Sequence, residues 1–175
     1  MTHESAIKTE ASPEQRAIRY SLALERAIDG KQDEIVVLAE GCLKQAGMFG
    51  NRQSKFGKSQ LNSAMTVATG TDVSYQLIKN WLRYQMSRSQ QSWPEGLAKG
   101  VIIDCEGKEG VEGGLLKMAD DIVKELQTEI LKADLHTDEQ KKLLHVRLIR
   151  LYLGFLTRCY TYVTSEQYRP EKGGH

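Results

Sequence analysis

The chain has 175 residues, of which 40% are hydrophobic and 27% charged, and its formal net charge at pH 7 is +1. This size and composition suit one ordinary globular domain and exclude collagenous, low-complexity and disordered proteins. No window approaches the roughly 18 apolar residues that a membrane span needs, and the first residues lack the basic-then-apolar order of a signal peptide. We therefore expect a cytoplasmic protein with no membrane partner.

Apolar residues recur at helical spacing through most of the chain, and capping signals divide the pattern into segments. Ser12, Pro13 and Gln15 form an N-cap, a first-turn proline and a capping-box partner. Gly30, Gly47 and Gly70 stand where helices should end. The predicted helices cover 12–29, 32–46, 59–70, about 72–88, a segment opened by Trp93 and Pro94, about 115–135, and about 137–163.

Strand signals are few, because the β-branched clusters neither alternate with polar residues nor meet a hairpin turn. The sequence predicts an all-α protein, a compact bundle of about five to six helices. Residues 1–11 are predicted to be a mobile tail, 12–166 a single helical domain and 167–175 a second tail. The first two helices are expected to pair as a helical hairpin.

Charge is segregated along the chain despite the small net value. Residues 1–43 carry a balance of -3, 44–100 of +6, 101–140 of -7 and 141–175 of +5. Such alternation permits a basic surface that binds a polyanion, and it equally permits head-to-tail packing of subunits through opposite patches. Both interpretations remain open at this point.

Catalytic and metal-binding patterns lack support. Cys42, Cys105 and Cys159 are far apart with no CxxC pair, so reduced, buried thiols are expected. The four histidines are scattered, and His145 is expected to be a packed structural residue. The carboxylates of the 115–135 helix alternate with lysines, which favours a solvated, ion-paired face. No enzyme activity, metal or cofactor is predicted.

The last predicted helix carries an unusual polar stripe. Projected at 100° per residue, Arg147, Arg150 and Arg158 fall in one arc of roughly 100° together with Gly154 and two threonines. No acidic residue occurs from Gln140 to Ser165, whereas a merely solvated helix usually mixes charge signs. Guanidinium groups beside small residues suit a phosphate backbone. The alternative is that these arginines pair with the acidic helix of 115–135.

Two further segments carry candidate RNA contacts. Lys79 and Arg83 share one polar arc of the 72–88 helix, and Arg88 projects nearly opposite Lys79, so one flat site cannot use both. Tyr75, Trp81 and Tyr84 could stack bases, although core packing is the commoner role of such aromatics. The loop of 48–58 is rich in glycine and basic residues and could contact phosphate. Its three cations are Arg52, Lys55 and Lys58.

The segment from Ser59 to Arg88 resembles the small helical subunit of type III CRISPR effector complexes. The resemblance rests on a Ser-Gln-Leu helix start at Ser59 and on a later run of Asn, Trp, Leu, Arg, Tyr and Gln at 80–85. It covers about thirty residues and has weaker support from the arginine and tyrosine residues of the final helix.

This resemblance implies a non-catalytic helical bundle that contacts guide RNA and target RNA, associates with itself and binds other subunits of the complex. Sequence-independent contact with the RNA backbone is expected, because base pairing between guide and target supplies the specificity. Two alternatives stay open: a helical protein-interaction adaptor with no nucleic-acid partner and, less favoured, an enzyme that uses the loop of 50–59 for a phosphorylated small molecule.

Overall fold

The computed structural model describes residues 12–51, 56–88, 93–107, 113–129 and 137–165. Within these ranges it contains only α-helices, which confirms the predicted class, although seven helices exceed the five to six expected. The predicted tails, 1–11 and 167–175, lie outside the described residues. The helices are α1 (Pro13–Asp29), α2 (Gln32–Gln45), α3 (Lys58–Thr69), α4 (Tyr75–Ser87), α5 (Glu95–Glu106), α6 (Leu115–Glu129) and α7 (Thr137–Val163).

Local capping chemistry sets several helix ends. Ser12 Oγ accepts from the Gln15 amide at 3.2 Å and Gln15 Oε1 accepts from the Ser12 amide at 3.2 Å, so the predicted capping box is confirmed. A similar side-chain contact begins α3, where Gln60 Oε1 accepts from the Gly57 amide at 3.0 Å. Ser74 Oγ accepts from the Leu77 amide at 3.4 Å and begins α4.

The long helix α7 is the centre of the bundle and packs against α2, α3 and α6. Its side chains Leu148, Tyr152 and Leu156 have no exposed surface, because helices lie on several sides of α7. The α7 tyrosine Tyr152 donates from its hydroxyl to Asp104 Oδ2 of α5 at 2.7 Å, which satisfies a polar group inside the core. The apolar core is therefore organised around α7.

The expected hairpin of α1 and α2 is wrong. Helix α1 packs mainly on α6, whereas α2 packs on α7 and α5. Gly30 and Lys31, which join the two helices, both keep right-handed helical backbone angles, with φ of -64° and -102°. The connection therefore contains no left-handed residue of the kind that often ends a helix, and each helix buries its apolar side against a different neighbour.

The cysteine prediction is confirmed in part. All three thiols are reduced; Cys42 and Cys105 are buried, but Cys159 is only half-buried. Burial raises the pKa of Cys42 to about 12, so its thiol is protonated at neutral pH and unsuited to nucleophilic attack. At the contact of α2 with α5, a Cβ added to Gly100 would lie 2.8 Å from Cys42 Sγ, so a larger residue here would force the buried Cys42 side chain to move.

Candidate nucleic-acid interface

Part of the predicted stripe on α7 faces α3. A Cβ added at Gly154 would lie 3.7 Å from Met65 Cε, so this glycine sits against an α3 side chain. Thr157 Oγ1 donates to the Leu153 carbonyl of its own helix at 2.8 Å, and Thr161 Oγ1 donates likewise to the Thr157 carbonyl. The small residues that the sequence analysis assigned to close phosphate approach thus make contacts within the bundle.

Two of the three stripe arginines have partners in the same chain. Arg147 forms an ion pair with Glu25 of α1, and this hydrogen bond lowers the pKa of Glu25. Arg150 Nε donates to the Ala68 carbonyl at 2.6 Å, in the last turn of α3, where carbonyls lack helical partners. Arg158 is exposed, with its guanidinium carbon 5.4 Å from the Phe155 ring centre. The cation of α7 that pairs with the acidic helix α6 is Lys141, whose ammonium nitrogen lies 2.8 Å from Asp120 Oδ1.

The α4 cations lie on different faces. Lys79 forms a salt bridge with Glu106 of α5, and only 17% of the Lys79 side chain is exposed. Burial opposes ionisation of Glu106, but the hydrogen bond and charge of Lys79 and the charge of Arg83 outweigh that effect and lower the pKa of Glu106. Arg83 itself is exposed and shares this side of α4 with Lys79. Arg88 projects roughly 140° away from Arg83 around the helix.

A cleft of about 270 Å³ opens on the Arg88 side, between the start of α3 and the end of α4. It contains hydroxyl, amide, indole and guanidinium groups, and no carboxylate is among its lining residues. Gln85, which is only 8% exposed, lies in its wall. We call this feature the α3–α4 cleft. Its lining consists of Ser59, Gln60, Ser63, Trp81, Gln85, Arg88 and Trp93.

A chain of edge-to-face aromatic contacts holds the α3–α4 cleft to the bundle. Trp93 is fully buried, and its ring centre lies 6.0 Å from that of Trp81 and 5.1 Å from that of Phe56. Phe56 in turn lies 5.4 Å from the ring of Tyr160 of α7, whose hydroxyl donates to the Phe56 carbonyl at 2.6 Å. Such edge-to-face contacts between ring centres favour particular ring orientations and link the cleft to α7.

The start of α3 adds positive potential beside the α3–α4 cleft. Lys58 is the first residue of α3 and is exposed. First-turn amides of a helix lack helical acceptors and carry the positive end of the helix dipole, which favours anions. At the other end of the cleft, the guanidinium carbon of Arg88 lies 5.8 Å from the Tyr84 ring centre. Arg52 and Lys55, the remaining predicted contacts, lie outside the described residues.

The aromatic residues of α4 divide between core and surface. Tyr75 and Trp81 are partly buried and pack against the core, as the commoner role predicts. Tyr84 is 58% exposed and is the member of the set available at the surface. Trp81 combines both properties, since it packs on the core and also lines the α3–α4 cleft.

His145 on α7 and Asp120 on α6 have partners within the bundle. His145 is 4% exposed, and its Nε2 donates to the Cys105 carbonyl at 2.8 Å, so the packed histidine is confirmed. On α6, hydrogen bonds from Lys124 and Lys141 lower the pKa of Asp120 to about 2, as expected of an ion-paired face. No cluster of three potential His, Cys, Asp or Glu metal ligands occurs in the described ranges. Nor does any helix described there have the length and apolarity to cross a membrane.

The sequence analysis did not identify the α3–α4 cleft, although it named several of its parts. Ser59, Gln60 and the run containing Trp81 and Gln85 carry the resemblance to the CRISPR small subunit, and the fold brings them together in one wall. Trp93 was read only as the start of a helix. No charge pattern marks it, and its assignment to the cleft depends on long-range packing.

Comparisons of this chain with protein-family models, with curated proteins and with solved structures gave no match.

Proposed function

We propose that this chain is a non-catalytic, RNA-binding structural subunit of a type III CRISPR antiviral effector ribonucleoprotein that acts in the cytoplasm. In this proposal it contacts the backbone of guide or target RNA and stacks with copies of itself and with other subunits. The observation that carries the proposal is the α3–α4 cleft. Both parts of the resemblance, the Ser59 helix start and the 80–85 run, contribute to one wall that has an arginine and no carboxylate.

The chemistry of this wall suits RNA. Phosphates are recognised by arginine and glutamine side chains and by helix N-termini, and the cleft supplies Arg88, Gln85 and the start of α3. The partly buried ring of Trp81 offers a face to a base without regard to sequence. Lys58 and Arg88 supply exposed charge on the two helices that form the cleft. The alternating charge blocks along the chain add support, because opposite patches permit the stacking of subunits.

A second function has its own support. Arg147 and Lys79 form ion pairs with carboxylates of this chain, which removes part of the positive surface that the sequence predicts. Helix α1 also exposes Ile18 and Leu22, each 55% accessible and one turn apart. These features favour the alternative of a helical adaptor that binds other proteins and no nucleic acid.

Salt-dependent binding separates the two functions. We expect the full chain to bind single-stranded RNA with an affinity that falls steeply as salt rises. Removing one phosphate contact with Arg88→Ala should reduce the slope of log K against log salt by about 0.7. Arg19→Ala is the matched control, since it removes the same charge from an exposed position on α1, to which no RNA contact is assigned. Equal slopes in the Arg88→Ala and wild-type chains would contradict the cleft assignment.

A pull-down of tagged protein from its native cells, at near-physiological salt, tests the complex itself. The proposal expects a large particle that contains short RNAs sharing a repeat-derived end. A protein-only complex, or a small oligomer without nucleic acid, would favour the adaptor.

A further inference from the structure

One buried polar atom at the α3–α4 cleft lacks a partner. Trp93 is 1% exposed and lines the cleft, and its indole Nε1–H makes no hydrogen bond within the described residues. Buried donors in native proteins are nearly always paired, so an exception needs an explanation. An indole N–H can only donate, and its missing partner must therefore be an acceptor.

The size of the α3–α4 cleft limits what could supply that acceptor. Its volume of about 270 Å³ lies just below the roughly 300–1,000 Å³ of sites for drug-sized ligands. A single planar ring system fits this space better than a stack of several. The wall of the cleft combines the ring of Trp81 with the amide of Gln85, which offers both a donor and an acceptor.

We infer that the α3–α4 cleft receives one unstacked base of the bound RNA strand. A small rotation of the Trp93 ring, whose Nε1 is buried in the free chain, brings its N–H to a carbonyl or ring nitrogen of that base. The Gln85 amide pairs with the base edge, and the Trp81 ring packs against it. Arg88 at the cleft and Lys58 beside it neutralise the flanking phosphates. This inference rests on the proposed function. It adds that the chain binds a base of the RNA as well as the sugar-phosphate backbone.

Other occupants of the cleft fit less well. A lysine or arginine side chain of a protein partner has only donors, so it could not satisfy Trp93 and would also be repelled by Arg88. An aliphatic side chain from a second copy would leave the Trp93 N–H unpaired. A phosphate without a base would leave the Trp81 ring unused. A base has acceptors, a π-face and an attached phosphate, which together match the donor, the ring and the cations.

The experiment exploits the fact that the chain has two tryptophans and that both line the α3–α4 cleft. The full chain is titrated at low salt with oligouridine and with an abasic ribose-phosphate oligomer of equal length and charge, while tryptophan emission and affinity are recorded. Oligouridine should change the emission and bind about tenfold more tightly than the abasic oligomer. In Trp93→Phe, which keeps an aromatic ring and removes the N–H, most of this preference should disappear.

Gln85→Leu supplies a second variant of similar size, and it should also weaken the preference for oligouridine. If both oligomers bind equally, with salt dependence and no change in emission, the base pocket is wrong while the proposed function stands. If neither oligomer binds, the proposed function fails and the inference fails with it. An emission change that depends on protein concentration in the absence of RNA would assign the cleft to a second copy and overturn the inference.

Discussion

The arginine stripe of α7 and the α3–α4 cleft are both basic and polar, but they differ in what their groups already contact. Arg147 and Arg150 of the stripe are engaged by Glu25 and by the Ala68 carbonyl. In the cleft, Arg88 is exposed and the Trp93 indole N–H has no partner among the described residues. A run of like charge on one helix therefore does not by itself mark a binding surface. Whether such a charge is available to a ligand depends on the partners that other helices supply to it.

The position of the two regions explains this difference. Helix α7 has 27 residues and packs mainly on α2, α3 and α6, and its narrow polar arc reaches the last turn of α3 and Glu25 of α1. The long side chains of Arg150 and Arg147 satisfy the Ala68 carbonyl and the Glu25 carboxylate there. The α3–α4 cleft lies at an edge of the bundle, where the first turn of one helix meets the last turns of another. Within the described ranges, Arg88 at this edge forms a cation–π contact with Tyr84 of its own helix and no ion pair.

The largest effect that we expect comes from the support of the cleft. Trp93→Ala removes a fully buried indole that contacts Phe56 and Trp81, and it should reduce the free energy of unfolding by about 3–5 kcal/mol. Trp93→Phe should cost less than about 1.5 kcal/mol, because it keeps a ring and removes a buried, unpaired donor. Urea unfolding of both variants measures the two values. Equal losses would mean that the indole N–H contributes to stability and has an acceptor.

The next effect distinguishes an engaged arginine from an available one. Arg150→Ala should lower the free energy of unfolding by about 1.5–3 kcal/mol, because it deletes a charge-assisted hydrogen bond to the end of α3. Arg88→Ala, at an exposed position, should change it by no more than about 0.5 kcal/mol. Chemical denaturation provides both numbers. If Arg150→Ala leaves the free energy of unfolding unchanged but weakens RNA binding, the α7 stripe is the RNA interface and the α3–α4 cleft is not.

A smaller effect tests why the stripe contains a glycine. Gly154 lies inside α7, where the helix conformation suits alanine, and the added Cβ would make an ordinary contact at 3.7 Å with Met65 Cε. Gly154→Ala should therefore raise the free energy of unfolding by about 0.5–1 kcal/mol. Gly100→Ala is the contrasting variant and should destabilise by about 1–3 kcal/mol, because its Cβ would lie 2.8 Å from Cys42 Sγ. A loss of RNA affinity in a stable Gly154→Ala chain would restore the close-approach role of this glycine.

Local signals in the sequence predicted the helices well, whereas contacts between helices could not be predicted. Ser12 with Gln15, and Ser74 with Leu77, act within one turn, so their sequence context contains the whole interaction. The partner of Arg150 lies 82 residues away along the chain, and no nearby residue indicates it. The expected α1–α2 hairpin failed for the same reason, because periodicity shows which face is apolar but not which helix covers it.

The candidate site shows the same limit. The resemblance identified the segments around Ser59 and Trp81, and these do line the α3–α4 cleft. The sequence did not indicate that Trp93, which follows α4, would close the cleft through Phe56 and Trp81. Nor did charge spacing reveal that Lys79 would be neutralised by Glu106. Both facts depend on tertiary packing.

The smallest effect that we expect uses pH to separate the two regions. His145 of α7 is buried, and burial lowers its pKa, although the Cys105 carbonyl and the charge of Glu106 oppose this; Lys141 adds to the lowering. Because the pKa of His145 is lower in the folded state, the unfolded state binds more protons than the folded state below pH about 6.5. The free energy of unfolding should therefore fall as the pH drops from about 6.5 towards the lower pKa of folded His145.

The cleft should respond differently to the same change, because its lining of Ser, Gln, Trp and Arg contains no group that titrates in this range. Unfolding measured at pH 7.5 and 5.5 should show the loss in the wild-type chain and a smaller loss in His145→Gln, whose amide can still donate to Cys105. Oligouridine binding should stay constant over the same interval, provided that the protein remains folded. An equal loss of stability in the wild-type and His145→Gln chains would assign the pH dependence to other groups. RNA binding that strengthens on acidification would place a titrating residue in the interface, and none is among the residues that line the cleft.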